Sequence, residues 1–168
     1  MSRWIMNIDI SQIMTSEGMS LKFEHELEAD KISFNGNDLV FDKNIIAYGT
    51  VENVGGGEFV LNASVDCSFK TVCARCLCEF NVDFPFEISE RFVKNSADEL
   101  VIPLEGNQIN LTDVVFDNLY MNLPISFTCK ESCKGLCQEC GQNLNEGECK
   151  CEDNNIDPRL SALLKFKK

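Results

Sequence analysis

Alternation of apolar and polar side chains dominates the first half of the chain. Trp4, Met6, Ile8 and Ile10 occupy every second position and predict a first strand. Leu21, Phe23, His25, Leu27 and Ala29 alternate with Lys22, Glu24, Glu26 and Glu28, which predicts a second strand with one polar face. His25, the single histidine, falls on the apolar face, where a core role is expected rather than ligation. Ile45 to Val54 reads as a further strand, closed by the turn Gly55-Gly56-Gly57.

The clearest period-two signal follows. Phe59, Leu61, Ala63, Val65, Cys67 and Phe69 alternate with polar residues, and so do Cys78, Phe80, Val82, Phe84, Phe86 and Ile88. Two long strands with Cys73-Ala74-Arg75-Cys76 between them make a hairpin. If it is symmetric about that tip, Leu61 meets Ile88, Val65 meets Phe84 and Phe69 meets Phe80, and the apolar faces coincide. Cys67 and Cys78 then fit inward strand positions as small core residues.

Lys94 to Gln108 is polar, contains Pro103 and Gly106, and reads as a loop. A helix fits Leu111 to Met121, with Asn110 as its cap, Asp113 near its positive end, an apolar side of Val114, Val115, Leu119 and Leu123, and Pro124 as its stop. Near the end, Asp157-Pro158 predicts a short helix whose apolar side is Leu160, Leu163 and Leu164. Its basic end, Lys165, Lys167 and Lys168, suits the negative pole of a helix dipole. The expected fold is mainly antiparallel β, a partly closed barrel or curved sheet, with a crossing helix and a small C-terminal cysteine-rich zinc module. The expected division is 1–128 and 129–168.

The segment from Cys129 to Cys151 breaks the pattern. It holds six of the ten cysteines in 23 residues, interleaved with Gly135, Gly141 and Gly147, and has almost no bulky apolar side chain. Hydrophobic burial cannot fold such a segment, whereas four thiolates converging on zinc can. Cys137 and Cys140 have knuckle spacing, and Cys149 and Cys151 lie on one face of an extended strand, so these four form one expected ligand set. The hairpin tip supplies a second pair, Cys73 and Cys76. A thioredoxin-like redox pair would want a helix after it, and here a strand follows. Cys129 and Cys133, left over by the downstream quartet, are the expected partners of Cys73 and Cys76 in a second zinc site.

Composition and charge narrow the class. At 168 residues and 44% hydrophobic, the chain can bury one sizeable core. No transmembrane span or secretion signal is read in it, and the ten cysteines fit a reducing cytoplasm. Net charge is −12, with 27 acidic against 15 basic residues, and each tetrathiolate zinc centre would make it more negative. A broad RNA-binding face is therefore not expected, and basic proteins are the easier partners. Neither convergent histidines nor a paired-carboxylate motif supports a hydrolytic enzyme.

The Cys73-Ala74-Arg75-Cys76 tip, the run Ile109-Asn110-Leu111-Thr112-Asp113 leading to Leu123-Pro124, the run Cys133-Lys134-Gly135-Leu136-Cys137-Gln138-Glu139-Cys140-Gly141-Gln142-Asn143-Leu144-Asn145, and Asp157-Pro158-Arg159-Leu160 together resemble the bacterial YceD-like proteins. Cys67 and Cys78 stand outside that motif. The family is described as a large ribosomal RNA subunit accumulation protein. The resemblance implies a role in making or preserving large-subunit ribosomal RNA. Taken with the cysteine usage, the charge and the closed thiolate sites, the expected protein is a cytoplasmic, non-enzymatic assembly factor, with ribosomal proteins or large-subunit precursor particles as partners and weak direct RNA binding at most. A thiol-based redox or zinc-responsive regulator is the alternative.

Overall fold

The structure is a computed structural model that describes residues 6–94, 102–104 and 106–151. Its elements in chain order are β1 (Asn7–Asp9), β2 (Ser20–Leu27), β3 (Lys31–Phe34), β4 (Asn37–Phe41), β5 (Ile45–Gly55), β6 (Glu58–Asp66), β7 (Ser68–Val72), β8 (Glu79–Asp83), β9 (Phe86–Val93), β10 (Ile102–Pro103), β11 (Gln108–Asn110) and the helix α1 (Leu111–Asn122). A five-stranded sheet runs β10-β9-β6-β5-β2, a four-stranded sheet runs β3-β4-β7-β8, and β1 pairs with β11. All pairings are antiparallel except β10 with β9. The sheets are open and no barrel closes. Trp4 and the stretch from Asp157 to Lys168, where a short helix with a basic end is expected, lie outside the described residues.

The long hairpin does not stay in one sheet. Its first arm breaks at Cys67 between β6 and β7, and its second at Phe84-Pro85 between β8 and β9. Pro85 has no N–H to give a ladder, so a break there is sterically natural. Two bonds hold the corner: the Phe84 N–H donates to the Cys67 carbonyl at 2.8 Å, and the Cys67 thiol donates to the Phe84 carbonyl at 3.1 Å. At this corner the hairpin passes from the five-stranded to the four-stranded sheet.

Register also differs from the symmetric expectation. Ala63 faces Ile88, Val65 faces Phe86 and Phe69 faces Val82, a slip of two residues. A slip of two leaves every side chain on its own face, so the core survives it; a slip of one would not. The cause is the tip. Its closing pair is Cys73 with Cys78, which moves the centre one residue along the chain. Cys78 lies at the tip, just ahead of β8, and is exposed, not in the core, while Cys67 is buried as expected.

Two further differences lie in short elements. Asn35-Gly36 turns β3 into β4 with φ of 49° and 79°, the left-handed pair that a two-residue hairpin needs. The stretch read as a loop after Lys94 contributes β10 and β11, each of two or three residues. The helix matches its sequence signals. Asn110 caps it by accepting the Asp113 N–H at 3.2 Å, and Val114, Val115, Leu119 and Leu123 are all buried. Asn118 fastens the helix to β9 by donating to Glu90 at 2.8 Å.

Candidate metal centres

The hairpin tip is a knuckle. Cys73 donates its N–H to the Cys78 carbonyl at 2.9 Å, and the Leu77 N–H returns to the Cys73 carbonyl at 3.0 Å, with Leu77 at φ 58°. The same construction recurs downstream. Cys137 donates to the Gln142 carbonyl at 2.8 Å, Gly141 returns to the Cys137 carbonyl at 2.9 Å, and Gly141 has φ 73°. Each knuckle needs a left-handed residue directly after its second cysteine, so that the chain reverses while both sulfurs face one point.

The segment after α1 is laid against the first knuckle by an aromatic anchor. Phe127 packs edge-on to Phe69 with centroids 5.6 Å apart, and its carbonyl accepts the Ala74 N–H at 2.8 Å. That contact carries Cys129 and Cys133 to Cys73 and Cys76. Cys73 Sγ lies 3.9 Å from Cys133 Sγ, and Cys76 Sγ lies 3.6 Å from Cys129 Sγ. Four thiolates at about 2.3 Å from one ion sit about 3.8 Å apart at the corners of a tetrahedron, so the spacing suits a tetrathiolate site. The second group is Cys137, Cys140, Cys149 and Cys151, and within each group all sulfurs lie within 4.8 Å of one another. Three of the first four cysteines are buried; in the second group Cys140 and Cys151 are exposed.

Backbone donors favour thiolate at particular positions. Burial raises the Cys73 thiol, but the N–H groups of Cys129, Cys76 and Arg75 together outweigh it and hold it down to about 6. The Cys140 and then the Glu139 N–H bring Cys137 down to about 7. Burial pushes Cys129 up to about 11, and the hydrogen bond with Cys140 pushes Cys151 up to about 12. Each group thus sets a thiol lowered towards ionisation beside raised ones, Cys129 in the first and Cys151 in the second, from which a bound cation would release protons. Sulfur-only donor sets of four, supported by N–H···S bonds, fit zinc better than magnesium or calcium.

Sequence reasoning did not foresee the bracing. Arg75 donates through Nη1 to the Glu131 and Cys133 carbonyls at 3.3 and 3.2 Å, clamping tip to segment. Asn145 donates through Nδ2 to Cys133 Sγ at 3.4 Å and through the same group to Asn143 Oδ1 at 2.8 Å, while its own oxygen accepts the Lys134 N–H at 3.0 Å. Asn145 lies in the loop between Cys140 and Cys149, so the second cysteine group reaches back to the first. Polar residues between cysteines carry no periodicity, and only the Gly141-Gln142-Asn143-Leu144-Asn145 run hinted at them. Cys78, expected in the core, instead has its Sγ 2.7 Å from Cys76 Sγ. His25 is half-buried and stacks on Phe23 with centroids 6.1 Å apart, in neither cysteine group.

Fold and site define a class: a β protein of open sheets whose hairpin tip and cysteine-rich tail each gather four convergent thiols. The chain belongs to the YceD family, since the profile described as large ribosomal RNA subunit accumulation protein YceD matches residues 61–167, from β6 through both cysteine groups. The uncharacterized protein YlbN of Bacillus subtilis is 24% identical over 170 residues, covering 97% of each chain. The large ribosomal RNA subunit accumulation protein YCED homolog 1, chloroplastic, of Arabidopsis thaliana is 35% identical over 66 residues, 39% of this chain and 21% of that protein's length. An uncharacterized protein of Mycobacterium tuberculosis, Rv2926c, is 28% identical over 123 residues, covering 69% of this chain and 58% of that one. No solved structure matches the chain with significance. Among the described residues, no helix is long and apolar enough to cross a membrane.

Proposed function

We propose that the chain is a non-enzymatic factor for assembly of the large ribosomal subunit or accumulation of its RNA, acting in the cytoplasm on ribosomal proteins or large-subunit precursor particles. The observation that carries this reading is the family match over residues 61–167, whose description names large-subunit ribosomal RNA. One zinc ion would be held by Cys73, Cys76, Cys129 and Cys133, and another by Cys137, Cys140, Cys149 and Cys151. Four thiolates leave no open position for water or substrate, so the ions would be structural. Their work is mechanical: the first ties the hairpin tip to the chain after the helix, and the second folds a segment poor in apolar side chains. Residues 129–168 then form a module set against a β domain of 1–128.

Depletion of the protein, followed by ribosome and ribosomal RNA profiling, tests the role. The expected result is a deficit of large-subunit RNA relative to small-subunit RNA, restored by the wild-type chain. An unchanged ratio overturns the reading.

One observation favours a second reading, a thiol-based zinc-responsive regulator: the exposed Cys78 thiol beside Cys76. Sub-millimolar peroxide separates the two. Ejection of zinc from the intact protein supports the regulator, and retention supports the assembly factor.

A further inference from the structure

Register assembles a surface that the sequence leaves scattered. On the outer face of the five-stranded sheet, Glu24 on β2 stands opposite Tyr48 on β5, Tyr48 opposite Ser64 on β6, and Ser64 opposite Glu87 on β9. The next row is Glu26, Ile46 and Asp66. Tyr48 is 43% exposed and Ile46 36%, two large side chains on one face of an interior strand. Shallow hollows of about 490 and 510 Å³ flank the Tyr48 ring, one towards Asn62 and Glu87, the other towards Lys22 and Thr50.

The charges around this centre are not neutralised. Among the described residues the ion pairs are Lys31 with Asp38, Lys70 with Glu79, and Arg91 with Glu58. The first two cancel outward charges within the four-stranded sheet. Among the described residues, the acids Glu24, Glu26, Asp66 and Glu87 around Tyr48 and Ile46 have no cationic partner, and of the four only Glu26 has a side-chain donor there, Asn44 at 3.2 Å. An apolar centre with an aromatic residue and a polar rim has the anatomy of a protein interface. Lys22 and Lys43 stand at its edges, and the rim stays net negative with four acids against these two, which disfavours phosphate and selects cations.

We propose that this face docks a lysine- or arginine-rich protein segment, with Tyr48 as the apolar and cation–π anchor and Glu24, Glu26, Asp66 and Glu87 as the electrostatic rim. The proposal rests on the assembly-factor reading and names its contact surface: the occupant is a basic protein of the large subunit, not its RNA.

The experiment uses the full chain, zinc-loaded, with purified large-subunit precursor particles as the probe. Co-sedimentation of the wild type tests the assembly-factor reading, and its absence overturns both that reading and this proposal. Given wild-type binding, Tyr48→Ala and the double variant Glu24→Lys/Glu87→Lys should each weaken it at least tenfold, while the charge-matched double variant Glu17→Lys/Asp117→Lys, away from the Tyr48 centre, changes it less than threefold. Equal binding by all variants overturns the proposal and leaves the reading standing. All four substituted acids and Tyr48 are exposed, and unchanged thermal melting with unchanged zinc content separates lost contacts from lost fold. A benzophenone side chain in place of Tyr48 identifies the occupant. Cross-linking to a basic large-subunit protein supports the proposal; cross-linking to RNA, to residues 152–168 of the same chain or to a second copy, or no cross-link at all, overturns it.

Discussion

Leu77 follows the second cysteine of its knuckle as Gly141 does in the other, yet it carries a side chain at φ 58° and leaves 63% of it in solvent. A left-handed residue with a Cβ costs about 1–2 kcal/mol, and exposure returns none of it. Nothing in the structure explains the leucine. Leu77→Gly should therefore raise stability by about 1 kcal/mol, after allowance for the extra freedom glycine gives the unfolded chain, and should appear as a higher urea midpoint at unchanged slope. A lower midpoint would mean that the leucine packs against something in solution. Cys67 gives a residue-scale pH dependence. Burial first, and then the charge of Asp66, push its thiol up to about 12 from an ordinary 9, and the thiol proton is donated to the Phe84 carbonyl. With the folded value raised, its contribution is complete below pH 9 and is lost as pH rises towards 12, because the unfolded chain ionises first. The slope in that window is about 1.4 kcal/mol per pH unit. Urea melts between pH 8 and 10, compared between the wild type and Cys67→Ala, should show that loss in the difference between the two, which cancels the thiols of the cysteine groups.

Among the elements, the knuckles were the most legible, because C-x-x-C spacing is local and sulfur chemistry limits what it can do. The grouping of Cys73 and Cys76 with Cys129 and Cys133 followed from counting thiols, and the structure places these four sulfurs together. The hairpin was legible as two arms but not as a corner. Alternation continues through Cys67 and Phe84 unbroken, so nothing periodic marks the change of sheet; Pro85 was the available signal. The β3–β4 hairpin carried an Asn35-Gly36 turn that the sequence reading did not use, while β10 and β11 are too short for any period to show. The tethering role of each tetrad can be tested separately. Cys76→Ser should lose one of two zinc ions and speed hydrogen exchange at the tip, in β7 and β8 and in residues 127–133, since Phe127 and Arg75 hold there only part of the load. Cys140→Ser should lose the other ion and loosen residues after Cys133, while β5, β6 and β9 keep their protection. Cys78→Ser should keep both ions. Equal global loss of protection in the two tetrad variants would place the module boundary elsewhere.

At the scale of the molecule, the net charge of −12 was plain from composition, but its placement was not. Glu24, Asp66 and Glu87 are far apart in sequence, and only the pairing of β2, β5, β6 and β9 brings them around Tyr48 and Ile46. The distribution decides how the chain meets a particle made of RNA and basic protein. Arg75 is occupied by two carbonyls, and Lys31 and Lys70 are in ion pairs, which removes three of the cations that could have met phosphate. Two tetrathiolate centres would add about −2 each to the field. Approach to naked RNA is therefore opposed at long range, and the remaining lysines act only within a Debye length of about 8 Å at physiological salt. Protein-free large-subunit RNA should bind weakly and without sequence preference in a filter or mobility assay. Reversal of clustered acids should impair association with precursor particles more than removal of Lys165, Lys167 and Lys168 does. Tight, sequence-specific binding to the naked RNA that disappears with those three lysines would reverse this assignment, because the attraction would then come from the cationic end and not from the acidic sheet.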